Sequence, residues 1–501
     1  MSRPGFVLTV DERTPPLRVQ AGSAVRMERL PLGARVVYPP DPLPRIRDVD
    51  TAIAAALSAP AGRAPLASLL KAGMRLTIAV DDITRPAPAM AAPDVRRRVV
   101  EQVLELAARA GIDDVEIIMA TGVNRRLTAV ELEALLGERV FRSFYPARLY
   151  NHDAEHAPGL VEVSESAAGG GDAARLLNRR AVDSDVVVHV GVTATTVGEP
   201  VDPLVDGLSG FRSAPAAQVA DTLGATPVFA VGAALDNATY PSNVGFLRRR
   251  EWEWDVADHA LVKGLVRGGR AVPAALRDRI WRSATAPYGV LTVAAGAPSQ
   301  VRPVVLAAVE EQERTEVPGQ SDVVMLGVPP TSADAVNSVL NPIAVAASVG
   351  RSLLAHRQRP VVRTGGVAIV FHPLARTFHP VHHLASIDFF DDVLAESSDP
   401  ATIATKYEDQ YTSDPWAVQA YRHSHAFHPS HPFRMWQAVT EATSELGDVI
   451  VVGGDRATAA RLGWTAVTTL SDALALAART VGASPSITYL HSPPAVVPVV
   501  R

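Results

Sequence analysis

RLTIAVDDITRPAPAM (residues 75–90) drives a run of apolar or β-branched residues, Leu76–Val80, straight into two carboxylates, a threonine, an arginine and a proline. An apolar stretch with no polar alternation reads as a strand buried on both faces, as in parallel sheets. Pro86 removes a ladder donor and ends it. The next segment, DVRRRVVEQVLELAARAG (94–111), has helical spacing: Val99, Val103, Leu106 and Ala107 share one face, Asp94 suits the N-cap and Gly111 the stop. DVEIIMA (114–120) is the next strand. TAVELEALLG (128–137) then carries a capping box, Thr128 with Glu131. SDVVVHVG (184–191) and TPVFAVG (226–232) are further strands. Strands separated by helices indicate βαβ units and a mainly parallel sheet.

The pattern restarts near residue 290. GVLTVAAG (289–296), SDVVMLGV (321–328), GGVAIVF (365–371), GDVIVVGG (447–454) and SITYLH (486–491) read as strands, with helices near 333–355 and 471–482. Two α/β domains are therefore expected, 1–290 and 291–501, the second with a histidine-rich insertion at about 371–436. The tail HSPPAVVPVVR (491–501) is expected to fold back onto other structure. SAAGGGDAA (166–174) is the low-complexity stretch and reads as a flexible loop.

With 501 residues, 47% hydrophobic and 20% charged, the chain has the material for large cores and is not a disordered polymer. A net charge of −5 offers no basic footprint for nucleic acid. The absence of cysteine excludes disulfides, thiolate metal sites and a cysteine nucleophile. No uncharged apolar run reaches the roughly 18 residues of a membrane span. MSRPGFVLTVDERTPP (1–16) has no signal-peptide core, so a cytoplasmic setting is expected. Lys71, Lys263 and Lys406 are the only lysines, so chemistry that needs an amine has three candidates.

Ligands of open parallel sheets bind beyond the carboxyl ends of the strands. Three strands end there in polar loops: Asp81, Asp82, Thr84 and Arg85 after the first; TGVNRR (121–126) after the second; GVTATTVGEPVDPLVDGLSGFRSAP (191–215) after the third. YNHDAEH (150–156) lies between the last two. Arg85 presents a fork that suits a carboxylate or phosphate, or else an Asp–Arg pair simply pins the turn.

The series DITRPAP, TG-x-x-R-x-L-T-x-x-E-L, YNHDA and GLSG, in that order, resembles the nickel-dependent lactate racemase family, as does the late segment DVIVVGGDRATAARLGWTAVTTLSDALALAARTVG. The resemblance implies two α/β domains with the active site between them, and racemisation or epimerisation of a small 2-hydroxy acid. It implies a nickel-pincer nucleotide tethered to a lysine, a histidine on the nickel, and two histidines as acid and base. Arg85 would hold the substrate carboxylate with Thr84 beside it, and Asp82 would orient Arg85. Asn124 or Arg125 would bond the substrate oxygen. The chain departs from the family pattern at three positions: Asn124 and Pro203 stand where catalytic histidines are expected, and Ser213 where the lysine is. Ser209, Gly210, Arg212 and Ser213 mark the corresponding cofactor loop, and GLSG could cradle an anion through backbone N–H groups.

Replacement groups have two sources. His152 with Asp153 could be an oriented base, or a local turn. Eight of the 14 histidines fall between His372 and His431, in FHPLARTFHPVHH and YRHSHAFHPSHPF. His379, His382, His423 and His425 could bind a divalent metal or carry protons; alternatively these rings stack on neighbouring aromatics. Three functions stay open: a lactate-racemase-like enzyme with an altered site, a non-catalytic binder of an organic acid or nucleotide, and a metal-dependent lyase or hydrolase. A small organic acid is the expected partner in the first.

Overall fold

The computed structural model of the protein describes residues 3–166, 172–335, 337–356, 359–492 and 494–501. Its architecture is α/β, built on two mainly parallel sheets. The first has the order Thr222–Leu223, Thr226–Leu235, Val186–Thr193, Arg75–Asp81, Asp114–Ala120, Leu149–Asn151. All these neighbours are parallel except the first pair, and Val290–Gly296 adds to Thr226–Leu235 antiparallel. The second has the order Phe6–Thr9, Arg35–Tyr38, Ile487–Leu490, Ser321–Gly327, Val362–Phe371, Asp448–Val452, Thr465–Val467, and only its first pair is antiparallel.

Local chemistry explains the elements that frame the site. Every residue of Arg75–Asp81 after the first is buried, as a central strand covered on both faces requires. Leu76, Ile78 and Val80 are fully buried against Val99, Val100 and Val103 of the helix Val95–Arg109. Each such side chain contributes about 1.5–3 kcal/mol relative to leaving it in water. That helix starts where the Asp94 carboxylate accepts the amide of Arg96 at 2.9 Å, and the chain leaves it through Gly111 at φ +72°. The expected capping box of Thr128 and Glu131 is formed at the helix Ala129–Leu136.

The sheets do not divide at residue 290. Phe6–Thr9 and Arg35–Tyr38 belong to the second sheet, whereas Val290–Gly296 belongs to the first, followed by a helix, Pro298–Glu313, that packs on its edge. A buried parallel strand carries the same apolar run whichever sheet it joins, so local pattern does not report membership. The tail does fold back: Val497–Val500 pairs in parallel with Arg314–Val317. The low-complexity stretch falls largely on 167–171, outside the described residues; its flanks, Leu160–Ser166 and Asp172–Asn178, pair as an antiparallel hairpin. Among the described residues no helix is long and apolar enough to cross a membrane.

Candidate functional site

The carboxyl ends of the two sheets face a shared cavity of about 380 Å³. Elements around the first sheet contribute Thr84, Arg85, Asn124, Glu199 and Tyr240 to its wall; elements around the second contribute Ser332, Asp334, Arg351 and Ser492. Trp281 and Tyr288 supply apolar surface.

Asp81 and Asp82 are both buried, and each is matched with donors, as buried carboxylates require. Asp81 Oδ1 lies 2.9 Å from His189 Nε2, and Oδ2 accepts the amide of Val192 at 3.2 Å. Burial opposes its ionisation, but the charges of His189, Arg85 and Arg96 hold its carboxyl far below the usual range. Asp82 accepts the amide of Thr84 at 3.0 Å, the Thr84 hydroxyl, and Asn124 Nδ2 at 3.0 Å. Burial still pushes its pKa upward. The expectation that Asp82 orients Arg85 is therefore corrected, because its oxygens are engaged by Thr84 and Asn124. Arg85 is flanked instead by Asp81 Oδ2 at 4.0 Å and Glu199 Oε1 at 3.5 Å. Neither ion pair closes to a hydrogen bond, and the side chain stays 26% exposed toward the cavity.

Other candidates are committed elsewhere. Arg125 is buried in a two-pronged pair with Glu131, Nη1 to Oε2 at 3.0 Å and Nη2 to Oε1 at 2.5 Å, and does not line the cavity. His152 is fully buried. Its Nε2–H donates to the Ser209 carbonyl at 3.0 Å, which leaves Nδ1 to accept from Asn178 Nδ2 at 3.2 Å. Burial lowers its pKa to about 4, and with both ring nitrogens engaged the ring does not reach the cavity wall. The expected cofactor loop is pinned to the hairpin 160–178. The Gly210 amide donates to the Leu176 carbonyl at 2.9 Å, Ser213 Oγ accepts the Leu176 amide at 3.1 Å, and Ser209 Oγ donates to the Val205 carbonyl at 2.6 Å. Arg212 is exposed over the Phe211 ring. None of these four residues lines the cavity.

The histidine-rich insertion is a clasp. Tyr421 donates its hydroxyl to the Gly122 carbonyl at 2.9 Å and accepts the amide of Ala154 at 3.1 Å. Arg422 Nε meets Asp153 Oδ2 at 2.9 Å, and His428 Nε2 meets Glu155 Oε1 at 2.9 Å. His425 Nδ1 donates to the Arg126 carbonyl at 3.0 Å. The polar loops 121–126 and 150–156 are thus largely occupied in holding the second domain. The proposed metal set does not converge. The rings of His379 and His382 stack 3.7 Å apart, with His379 Nδ1 accepting the His382 amide at 3.0 Å, and His423 is exposed at a helix end. Among the described residues no group of three or more metal-binding side chains is placed to hold an ion. The lyase or hydrolase reading built on those histidines loses its basis.

The residues present do not fit a lysine-tethered nickel pincer either. Among the described residues no histidine or lysine lines the cavity, and Ser213 stands at the anchor position. Lys71 and Lys263 are exposed, and Lys406 is paired with Glu396. Sequence reasoning missed Glu313, which lines the cavity from the last residue of its helix. Its signal was a carboxylate at a helix C-terminus, where the dipole disfavours negative charge.

Residues 28–196 match the family described as lactate racemase N-terminal domain. The structure of the lactate racemase apoprotein from Thermoanaerobacterium thermosaccharolyticum is similar, with a TM-score of 0.60 at 16% identity, over 97% of this chain and 100% of that one. A crystal structure of a protein from Thermotoga maritima aligns with a TM-score of 0.46 at 12% identity, over 90% of this chain and 97% of that one. No curated protein matches the chain in sequence.

Proposed function

We propose, from the match of residues 28–196 to the lactate racemase N-terminal domain family, that the chain binds a small 2-hydroxy-acid-type anion in the cavity between its two sheets. There it acts as a racemase, epimerase or related enzyme at the α-carbon, with an altered site. The observation that carries the reading is Arg85: a guanidinium at the end of a central strand, facing a cavity, with both carboxylate neighbours too loosely placed to saturate its fork. Asp81 and Glu199 hold its position, and the Asp82–Asn124 bond fixes Asn124 on the same wall, within the set that would meet the ligand's oxygens. No step is assigned to the nickel pincer, because its anchor and its histidines have no counterparts at the cavity.

Isothermal titration with D- and L-lactate tests the reading, together with NMR detection of isomer interconversion and of C2 deuterium incorporation in D₂O. Arg85→Lys removes a two-pronged contact and should weaken lactate affinity by about 10- to 100-fold. Equal affinity in the variant overturns the reading. The lack of histidine and lysine among the described residues of the cavity wall favours a second reading, an organic-acid binder without turnover. It would be marked by Arg85-dependent binding with no interconversion and no exchange.

A further inference from the structure

Glu313 is 1% exposed and lies on the wall of the cavity that Arg85 also lines. Its two oxygens differ. Oε2 accepts the Thr196 amide at 2.8 Å and the Thr196 hydroxyl at 2.9 Å. Oε1 is buried and, among the described residues, has no hydrogen-bond partner. Among the described residues no arginine is paired with Glu313; Glu199, on the loop that holds Oε2, meets Arg302 at 3.2 Å and lies 3.5 Å from Arg85. Thr196 and Glu199 belong to one loop, so a single short segment contacts both Glu313 and the Arg85 guanidinium, and both line the same cavity.

A buried carboxyl with no paired countercharge is favoured in its neutral form. Oε2 already accepts two donors, so the proton of that form resides on Oε1. An O–H there makes no hydrogen bond among the described residues, with the Thr195 hydroxyl the one polar group beside the carboxyl besides Thr196, and a buried donor left unmet is unfavourable. Resting on the anion-binding reading of Arg85, we propose that protonated Glu313 donates from Oε1 to the second oxygen of a 2-hydroxy or 2-oxo acid whose carboxylate is held by Arg85. The site then recognises an acid bearing oxygen on the adjacent carbon and discriminates against a plain carboxylic acid.

Burial pushes the Glu313 pKa up to about 7; the Thr195 hydroxyl and the donors of Thr196 oppose the rise, and Glu199 adds to it. The charged group acting on the carboxyl is Glu199 on the 194–199 loop, which in turn meets Arg302 of the Glu313 helix and Arg85 of the cavity wall. The Asp334–Arg351 pair, Tyr240 and Tyr288 face the same cavity from other elements. Below about pH 7 the donor is present; above it an ionised Glu313 repels the incoming anion.

The test is calorimetric titration of the full chain with L-lactate, D-lactate, pyruvate and propionate from about pH 6 to about pH 8.5, in buffers of different ionisation enthalpy. The wild type should take up about one proton per lactate bound at the alkaline end and none at the acid end. Its lactate affinity should fall by about tenfold per pH unit above 7. Propionate should bind more weakly and without that uptake. Glu313→Gln keeps a donor but not the titration, so its lactate affinity should be flat with pH. Arg85-dependent lactate binding with no proton uptake in the wild type overturns this inference and leaves the Arg85 reading standing. Absence of binding by all four acids at every pH overturns both.

Discussion

Replacing Arg125 by methionine separates a ligand-binding role from a structural one. Methionine keeps most of the apolar stem and deletes the fork. The change removes both contacts to Glu131 and the bond from Nη1 to the Arg126 carbonyl at 3.1 Å. Glu131 is left with Thr128 and with Asn337 of the second domain, whose Nδ2 donates at 2.7 Å. In the wild type burial raises the Glu131 pKa, but Arg125, Asn337 and Thr128 bring it down from 4.5 to about 2. A depression of that size corresponds to about 3 kcal/mol of stability at neutral pH, with Arg125 the largest favourable contributor. Because the folded pKa lies below the unfolded value, the stabilisation is complete above pH 4.5 and fades as the pH falls toward 2. Arg125→Met should therefore lose about 2–3 kcal/mol at pH 7 and progressively less in acid. Urea unfolding at neutral and acid pH, with hydrogen exchange across the helix Ala129–Leu136, measures the loss. Lactate affinity should be unchanged. A variant of full stability that no longer binds lactate would refute the structural role and return Arg125 to the ligand.

His152→Gln should blunt acid sensitivity rather than chemistry. The folded pKa of His152 is depressed to about 4, so the wild type should shed about 3 kcal/mol as the pH falls from 6.5 toward 4, a loss the glutamine variant should escape. Thermal melts across that interval report it, and abolished turnover with an unaltered melting profile would identify a base instead. Nickel or zinc followed by desalting should leave well under one ion per chain, since His379, His382, His423 and His425 do not converge. Stoichiometric retention that disappears in His379→Ala would contradict this.

The apolar and β-branched run Leu76–Val80, followed by Pro86 and then by a separate helical pattern, points to a central strand covered on both faces. The Arg85 loop follows from the same stretch, since a strand end is where a parallel sheet meets its ligand. Pairing at long range stays hidden. The polarity of 121–126 and 150–156 signals a demand for partners, and it is equally well met by Tyr421, Arg422, His425 and His428 as by a ligand. Histidine density suggests a metal only when the nitrogens point to one place, and the ring stacking of His379 on His382 shows that they serve packing. Glu313 gains its meaning from a loop more than a hundred residues earlier in the chain.

The strand order of the second sheet bears on how the molecule is made. Val36 pairs with Tyr489, so the antiparallel pair of Phe6–Thr9 and Arg35–Tyr38 keeps one bare edge until nearly the whole polypeptide has left the ribosome. Bare strand edges recruit other chains. Biosynthesis of this protein thus carries a long interval of exposure, and any truncation before residue 487 makes that interval permanent.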